Sequence, residues 1–62
     1  MRYLDKNNKE LSFNDYVKIY ISSGTYTGYI NFFQNGIVRV NCLSDEFRVR
    51  PEKIELIAKI NS

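Results

Sequence analysis

Tyr16-Val17-Lys18-Ile19-Tyr20-Ile21 is the stretch whose reading decides the fold. Val17, Ile19 and Ile21 alternate with Tyr16, Lys18 and Tyr20. This period of two places one set of side chains on each face of a β-strand. A helix is excluded here, because β-branched and aromatic residues fill the run and no apolar stripe recurs at 3.6 residues.

Downstream, Ser22-Ser23-Gly24 reads as a turn, and a second strand is predicted from Thr25 to Phe33. Gly28 lies inside it. A strand-interior glycine marks a bulge, a sharp bend or a close backbone approach, so a structural role is expected of it before a ligand-approach role. Asn35-Gly36, after Gln34, is the strongest short-range hairpin signal, since both residues tolerate the positive φ of a type I′ turn. A third strand follows from Ile37 to Leu43, with Val38, Val40 and Cys42 on its inner face. Ser44-Asp45-Glu46 reads as a turn, and Phe47-Arg48-Val49-Arg50 as a short strand with both arginines outward. Pro51 has no N–H to donate and ends that strand. Pro51-Glu52-Lys53 suits one 3₁₀ turn. Ile54 to Ile60 is read as a final strand in preference to a helix, because seven-residue helices are marginal on their own.

Upstream, Phe13-Asn14-Asp15 leads into the first strand. The polar run from Asp5 to Lys9 is a turn between Arg2-Tyr3-Leu4 and Glu10-Leu11, which read as two short, frayed edge strands. The expected fold is therefore all-β: a single five-stranded, strongly bent antiparallel barrel with a 3₁₀ turn before its last strand. Residues 1–12 form an N-terminal hairpin or extension, 13–60 the barrel core, and 1–62 one domain. Closure is expected because it buries one face and hides most strand edges. The predicted inward set is Val17, Ile19, Ile21, Ile30, Phe32, Val38, Val40, Phe47, Val49, Ile54 and Leu56.

These residues carry a resemblance. Phe13-Asn14-Asp15-Tyr16-Val17-Lys18-Ile19 resembles the hydrophobic-Gly-Asp-x-Val-x-Val opening of SH3-like barrels of the KOW and Tudor-like kinds. Gly24, Gly28 and Ile30 resemble that family's second strand. Val49-Arg50-Pro51-Glu52-Lys53-Ile54-Glu55-Leu56-Ile57 is similar to its Val-x-Pro-x-x-Leu-Glu-Leu-Ile close. Leu4-Asp5-Lys6-Asn7-Asn8-Lys9-Glu10-Leu11 resembles the opening hairpin of many small uncharacterised bacteriophage and mobile-element proteins. The likeness spans nearly the whole chain and concerns turn and core positions, so it bears on fold more than on function. Asn14 replaces the usual glycine, and it also tolerates the left-handed conformation. The tight Gly-x-x-Gly-basic loop of the KOW group is absent, and Tyr29 stands where a basic residue often follows Gly28.

The chain has 62 residues, nine of them basic and seven acidic, for a formal net charge of +2. Apolar residues make up 44% of it, which argues against disorder. No apolar run is long enough to span a membrane. The opening Met1-Arg2-Tyr3-Leu4-Asp5-Lys6-Asn7 has no signal-peptide core, so a cytoplasmic location is expected. There is no histidine, and Cys42 is the single cysteine. A disulfide within the chain is thus excluded, and neither zinc binding nor any cofactor is expected. Cys42 sits in a strand and reads as buried filler rather than a reactive thiol. The acids Asp5, Glu10, Asp15, Asp45, Glu46, Glu52 and Glu55 fall mostly in turns or at strand ends. The adjacent pair Asp45-Glu46 reads as a solvated hairpin tip. No nucleophile–base pair or phosphate loop appears, so the chain is expected not to be an enzyme.

The outward positions carry what is left. Lys18, Arg39, Arg48 and Arg50 would neutralise phosphates, with Tyr20 and Tyr29 stacking on bases. Their plainer reading is a half-exposed pleat on which the arginines pair with Asp45, Glu46 or Glu55. A binding module for DNA or RNA, an accessory protein of bacteriophage or mobile-element type, is the preferred expectation. The alternative is a protein-interaction module: an adaptor or inhibitor of a host protein, or a weak homodimer. Its motive is the outward apolar set Tyr20, Tyr26, Tyr29, Phe33, Ile37, Leu43 and Ile57, together with strand edges open to pairing.

Overall fold

A computed structural model describes residues 2–60. Met1, Asn61 and Ser62, included in the expected 1–62 domain, lie outside the described residues. Five strands form one antiparallel sheet: β1 (Tyr16–Ile21), β2 (Gly24–Gln34), β3 (Ile37–Cys42), β4 (Asp45–Val49) and β5 (Ile54–Ala58). Their spatial order is β4-β3-β2-β1-β5, and a 3₁₀ turn, Pro51–Lys53, precedes β5. No helix among the described residues is long and apolar enough to cross a membrane.

β1 spans the six residues whose alternation predicts it, and Val17 and Ile19 are fully buried. Ile54 onward is strand, as expected, although it ends at Ala58 rather than Ile60. Asp45 and Glu46, expected in a turn, instead open β4, because the β3–β4 loop is only Leu43-Ser44 between the paired Cys42 and Asp45. Leu43, expected to close β3, sits in that loop at φ 57°. Asn35 (φ 53°) and Gly36 (φ 80°) both take the positive φ of a type I′ turn, closing the β2–β3 hairpin. Asn14 takes the left-handed conformation its place before Asp15 requires, at φ 72°.

The eleven-residue β2 bends the sheet. Its first half pairs with β1 and its second half with β3, and Tyr29 alone has a partner in both ladders, Tyr16 and Asn41. Gly28 is the close-approach point. A Cβ built there would lie 2.0 Å from the Asn41 carbonyl oxygen and 2.8 Å from Cys42 Sγ. Only glycine lets β3 come so near.

The core is Leu11, Val17, Ile19, Ile30, Val38, Val40, Cys42, Val49 and Ile54. Ile21, Phe47 and Leu56 from the expected inward set are half-buried against it. Phe32 is not inward: it is 45% exposed. A register shift between Ile30 and Phe32 inserts an extra residue into β2. Past such a bulge the alternation restarts one residue late, so Phe33 turns inward in its place. Phe33, expected outward, packs on Tyr3 with ring centroids 4.7 Å apart. Tyr26, also expected outward, packs against the core and stacks on Phe47 at 4.9 Å. Leu11 joins the core from the N-terminal hairpin.

The expected closure of the barrel is not formed. No ladder joins β4 to β5 among the described residues, and the sheet is open. The outer edge of β5 is already taken by the N-terminal hairpin. Lys6 N–H donates to the Ile54 carbonyl at 2.8 Å, and Leu56 N–H donates to Asp5 Oδ2 at 2.7 Å. That hairpin carries one strand-type bridge, Leu4 to Glu10, with Asp5 N–H donating to the Lys9 carbonyl and Leu11 N–H to the Tyr3 carbonyl, each at 2.8 Å. Asp5 Oδ1 accepts from the amides of Asn7 and Lys9, each at 2.8 Å, so one carboxylate closes its own turn and docks it on β5.

Candidate nucleic-acid interface

Arg39 of β3 and Arg48 of β4 are cross-strand partners on the outer face of the sheet. Like charges directly opposite one another destabilise a ladder, so this pairing costs the fold something. Neither arginine is relieved by a carboxylate. The ion pairs among the described residues are Arg2–Glu10 at 3.9 Å and Lys59–Asp15 at 2.9 Å. Of the acids expected to neutralise the arginines, Asp45 makes no ion pair with them and the other two have other engagements. Glu46 accepts from Asn31 Nδ2 at 3.1 Å, and Glu55 accepts the Tyr20 hydroxyl at 2.5 Å.

The β2 bulge extends this pair into a row. It sets Phe32 opposite Arg39, whose guanidinium lies 4.9 Å from the ring centroid. The row across three strands is thus Phe32, Arg39, Arg48: an exposed ring followed by two unpaired cations.

Arg48 also joins two hollows. One, of about 230 Å³, lies over Gln34, Asn35, Ile37, Arg39 and Arg48. The other, of about 600 Å³, lies between the end of β1 and the 3₁₀ turn. Tyr20, Ile21 and Ser22 form one wall, and Arg48, Val49, Arg50 and Lys53 the other. Three of its seven lining residues are cationic, so the local potential favours an anion.

Of the predicted site residues, the structure therefore brings together Arg39, Arg48, Arg50 and Tyr20. Lys18 approaches Tyr20, its Nζ 5.4 Å from the ring centroid. Lys6 sits nearer, at 4.1 Å. Tyr20 is thus a wall braced by two lysines and not a free stacking surface. The Glu55 carboxylate holding its hydroxyl proton, aided by burial and by the Glu55 charge, pushes the Tyr20 phenol above its ordinary value. Tyr29 lies apart from the hollows, 46% exposed with its ring 5.1 Å from that of Tyr16.

Lys53 and Phe32 belong to the site and escape the sequence reading. Lys53 reaches it because the 3₁₀ turn folds back towards β1, and outward alternation along a strand gives no sign of that. The signal for Phe32 would have been the adjacent pair Phe32-Phe33, since two neighbouring rings in one strand cannot both face inward.

The remaining chemistry-bearing groups have structural roles. Cys42 is buried as expected, and burial, then the Asp45 charge, pushes its thiol up, away from the reactive thiolate. Asp15 is fully buried; its Oδ2 accepts from Ser12 N–H at 2.8 Å and Lys59 Nζ at 2.9 Å. Comparison with known protein families, with curated proteins and with solved structures finds no match for this chain.

Proposed function

We propose that this protein is a non-enzymatic nucleic-acid-binding module whose contact surface is the outer face of β3 and β4 with the adjoining hollow. The observation that carries the reading is the unneutralised cross-strand pair Arg39–Arg48, extended by Arg50 and Lys53. A row of cations that weakens the apo sheet is accounted for by an anion that bridges it. Phosphates of DNA or RNA supply such anions at regular spacing, and the half-exposed Phe32 ring, with Arg39 over one side, leaves its other side for a base to stack on. Rings stack only on unpaired bases, so a single strand suits the surface better than a duplex.

In this reading the open sheet is an SH3-like barrel left unclosed. Five antiparallel strands, a long second strand shared between two neighbours, and the 3₁₀ turn before the last strand support that assignment. The likeness of the opening hairpin, Leu4 to Leu11, favours an accessory protein of the bacteriophage or mobile-element kind.

The test is a fluorescence-anisotropy titration with labelled single- and double-stranded oligonucleotides at two salt concentrations. The expected result is binding that weakens steeply with salt and favours single strands. Absence of salt-sensitive binding at tens of micromolar would remove the reading.

A further inference from the structure

The two edges of the sheet are treated differently. β5 has its outer edge covered by the N-terminal hairpin through Lys6 N–H to Ile54 and Leu56 N–H to Asp5. β4 has none of this. Its one ladder is with β3, and among the described residues no hydrogen bond reaches its other side.

Which groups lie on that open side follows from the hairpin. Cys42 and Asp45 flank a two-residue loop, so they form a pair that exchanges both backbone hydrogen bonds. Alternation gives the same role to Val40–Phe47 and Val38–Val49. The N–H and C=O groups of Glu46 and Arg48 therefore point away from β3. Edge strands in this condition are templates for another strand.

We infer that β4 pairs antiparallel with β4 of a second copy, about a twofold axis at Phe47. In that register Glu46 of each copy meets Arg48 of the other. Both pairs join the outward-pointing backbone groups, and both join opposite charges. A twofold axis at Glu46 would set Glu46 against itself, and one at Arg48 would set Arg48 against itself and leave Glu46 only Arg50, which lies past the end of β4. Charge complementarity therefore selects the register as well as the partner. The inference goes beyond the nucleic-acid reading but shares Arg48 with it, so a self-paired copy offers phosphate one cation fewer.

Sedimentation velocity on the full chain, up to millimolar concentration at low salt, tests the inference with charge exchange. Wild type is expected to form a dimer. Glu46→Arg and Arg48→Glu should each weaken self-association by about tenfold or more, since each replaces two attractive pairs with repulsive ones. Mixing the two variants restores both attractions and should give a heterodimer, and the double exchange E46R/R48E should again form a homodimer. Arg48→Glu places a carboxylate opposite Arg39, so circular dichroism should show it folded. A wild type that stays monomeric throughout, or a mixture no more associated than its components, would overturn the inference. Neither result depends on whether the chain binds nucleic acid.

Discussion

Arg48 is a residue whose place in the sheet opposes its place in the site. It faces Arg39 across β3 and β4 with no carboxylate between them. Arg48→Ala is expected to leave the thermal midpoint unchanged or raise it, by up to about 1 kcal/mol in stability. The same substitution should lower oligonucleotide affinity and reduce the salt slope by about one. Parallel thermal melts and anisotropy titrations separate the two effects, and a joint loss of stability and affinity would show Arg48 to be a structural residue. Gly28 behaves oppositely. Gly28→Ala drives a methyl into the Asn41 carbonyl, which belongs to the backbone of β3 and cannot move aside. The expected cost, read from urea denaturation, is about 3 kcal/mol, near the upper end for overpacking. Both Gly28 and the Asn35-Gly36 turn were legible from the sequence, because their demands are local. Asp5 was not. Its role depends on the amide of Leu56, 51 residues away, and no local pattern encodes that contact.

At the scale of elements, the N-terminal hairpin acts as a cover for β5, and Asp5 fastens it. Burial pushes the Asp5 carboxyl up. The amides of Leu56, Lys9 and Asn7, with the Lys9 charge, outweigh this and hold it below its ordinary value of 3.8. A group held lower in the folded chain binds fewer protons there than when unfolded. It therefore contributes stability above the unfolded value, and that contribution is lost as pH falls through the folded one. Acid denaturation below about pH 4 should accordingly be shallower in Asp5→Asn than in wild type. At neutral pH Asp5→Ala leaves three amides without their acceptor, and urea titration is expected to show a loss of about 3 kcal/mol. An acid limb unchanged in Asp5→Asn would mean that other carboxylates govern it. The strands themselves were legible from alternation. The misplacement of Phe32 and Phe33 came from one bulge in β2, which shifts the face of every residue after it while leaving the element a strand.

Over the whole molecule, burial and charge divide along the two faces of one sheet. The inner face is filled by nine buried apolar residues, with Tyr3–Phe33 and Tyr26–Phe47 packed around them. The outer face of β3 and β4 holds the unpaired cations. Sequence alternation placed Arg39, Arg48 and Arg50 outward. It could not show that strand curvature and the 3₁₀ turn gather Arg48 and Arg50 with Tyr20 and Lys53 around one hollow and leave Arg39 on the adjoining one, while Tyr29 stands elsewhere. Barrel closure was likewise beyond it, because closure depends on which segment reaches the β5 edge first. The central claim is that this cationic face, and no other, receives phosphate. The most direct measurement is a ¹⁵N-resolved NMR titration of the full chain with a short single-stranded oligothymidylate. The account predicts shifts concentrated at Phe32, Arg39, Arg48, Arg50 and Lys53, reversed by added salt. Shifts gathered instead around Tyr16 and Tyr29, or none at all, would contradict it.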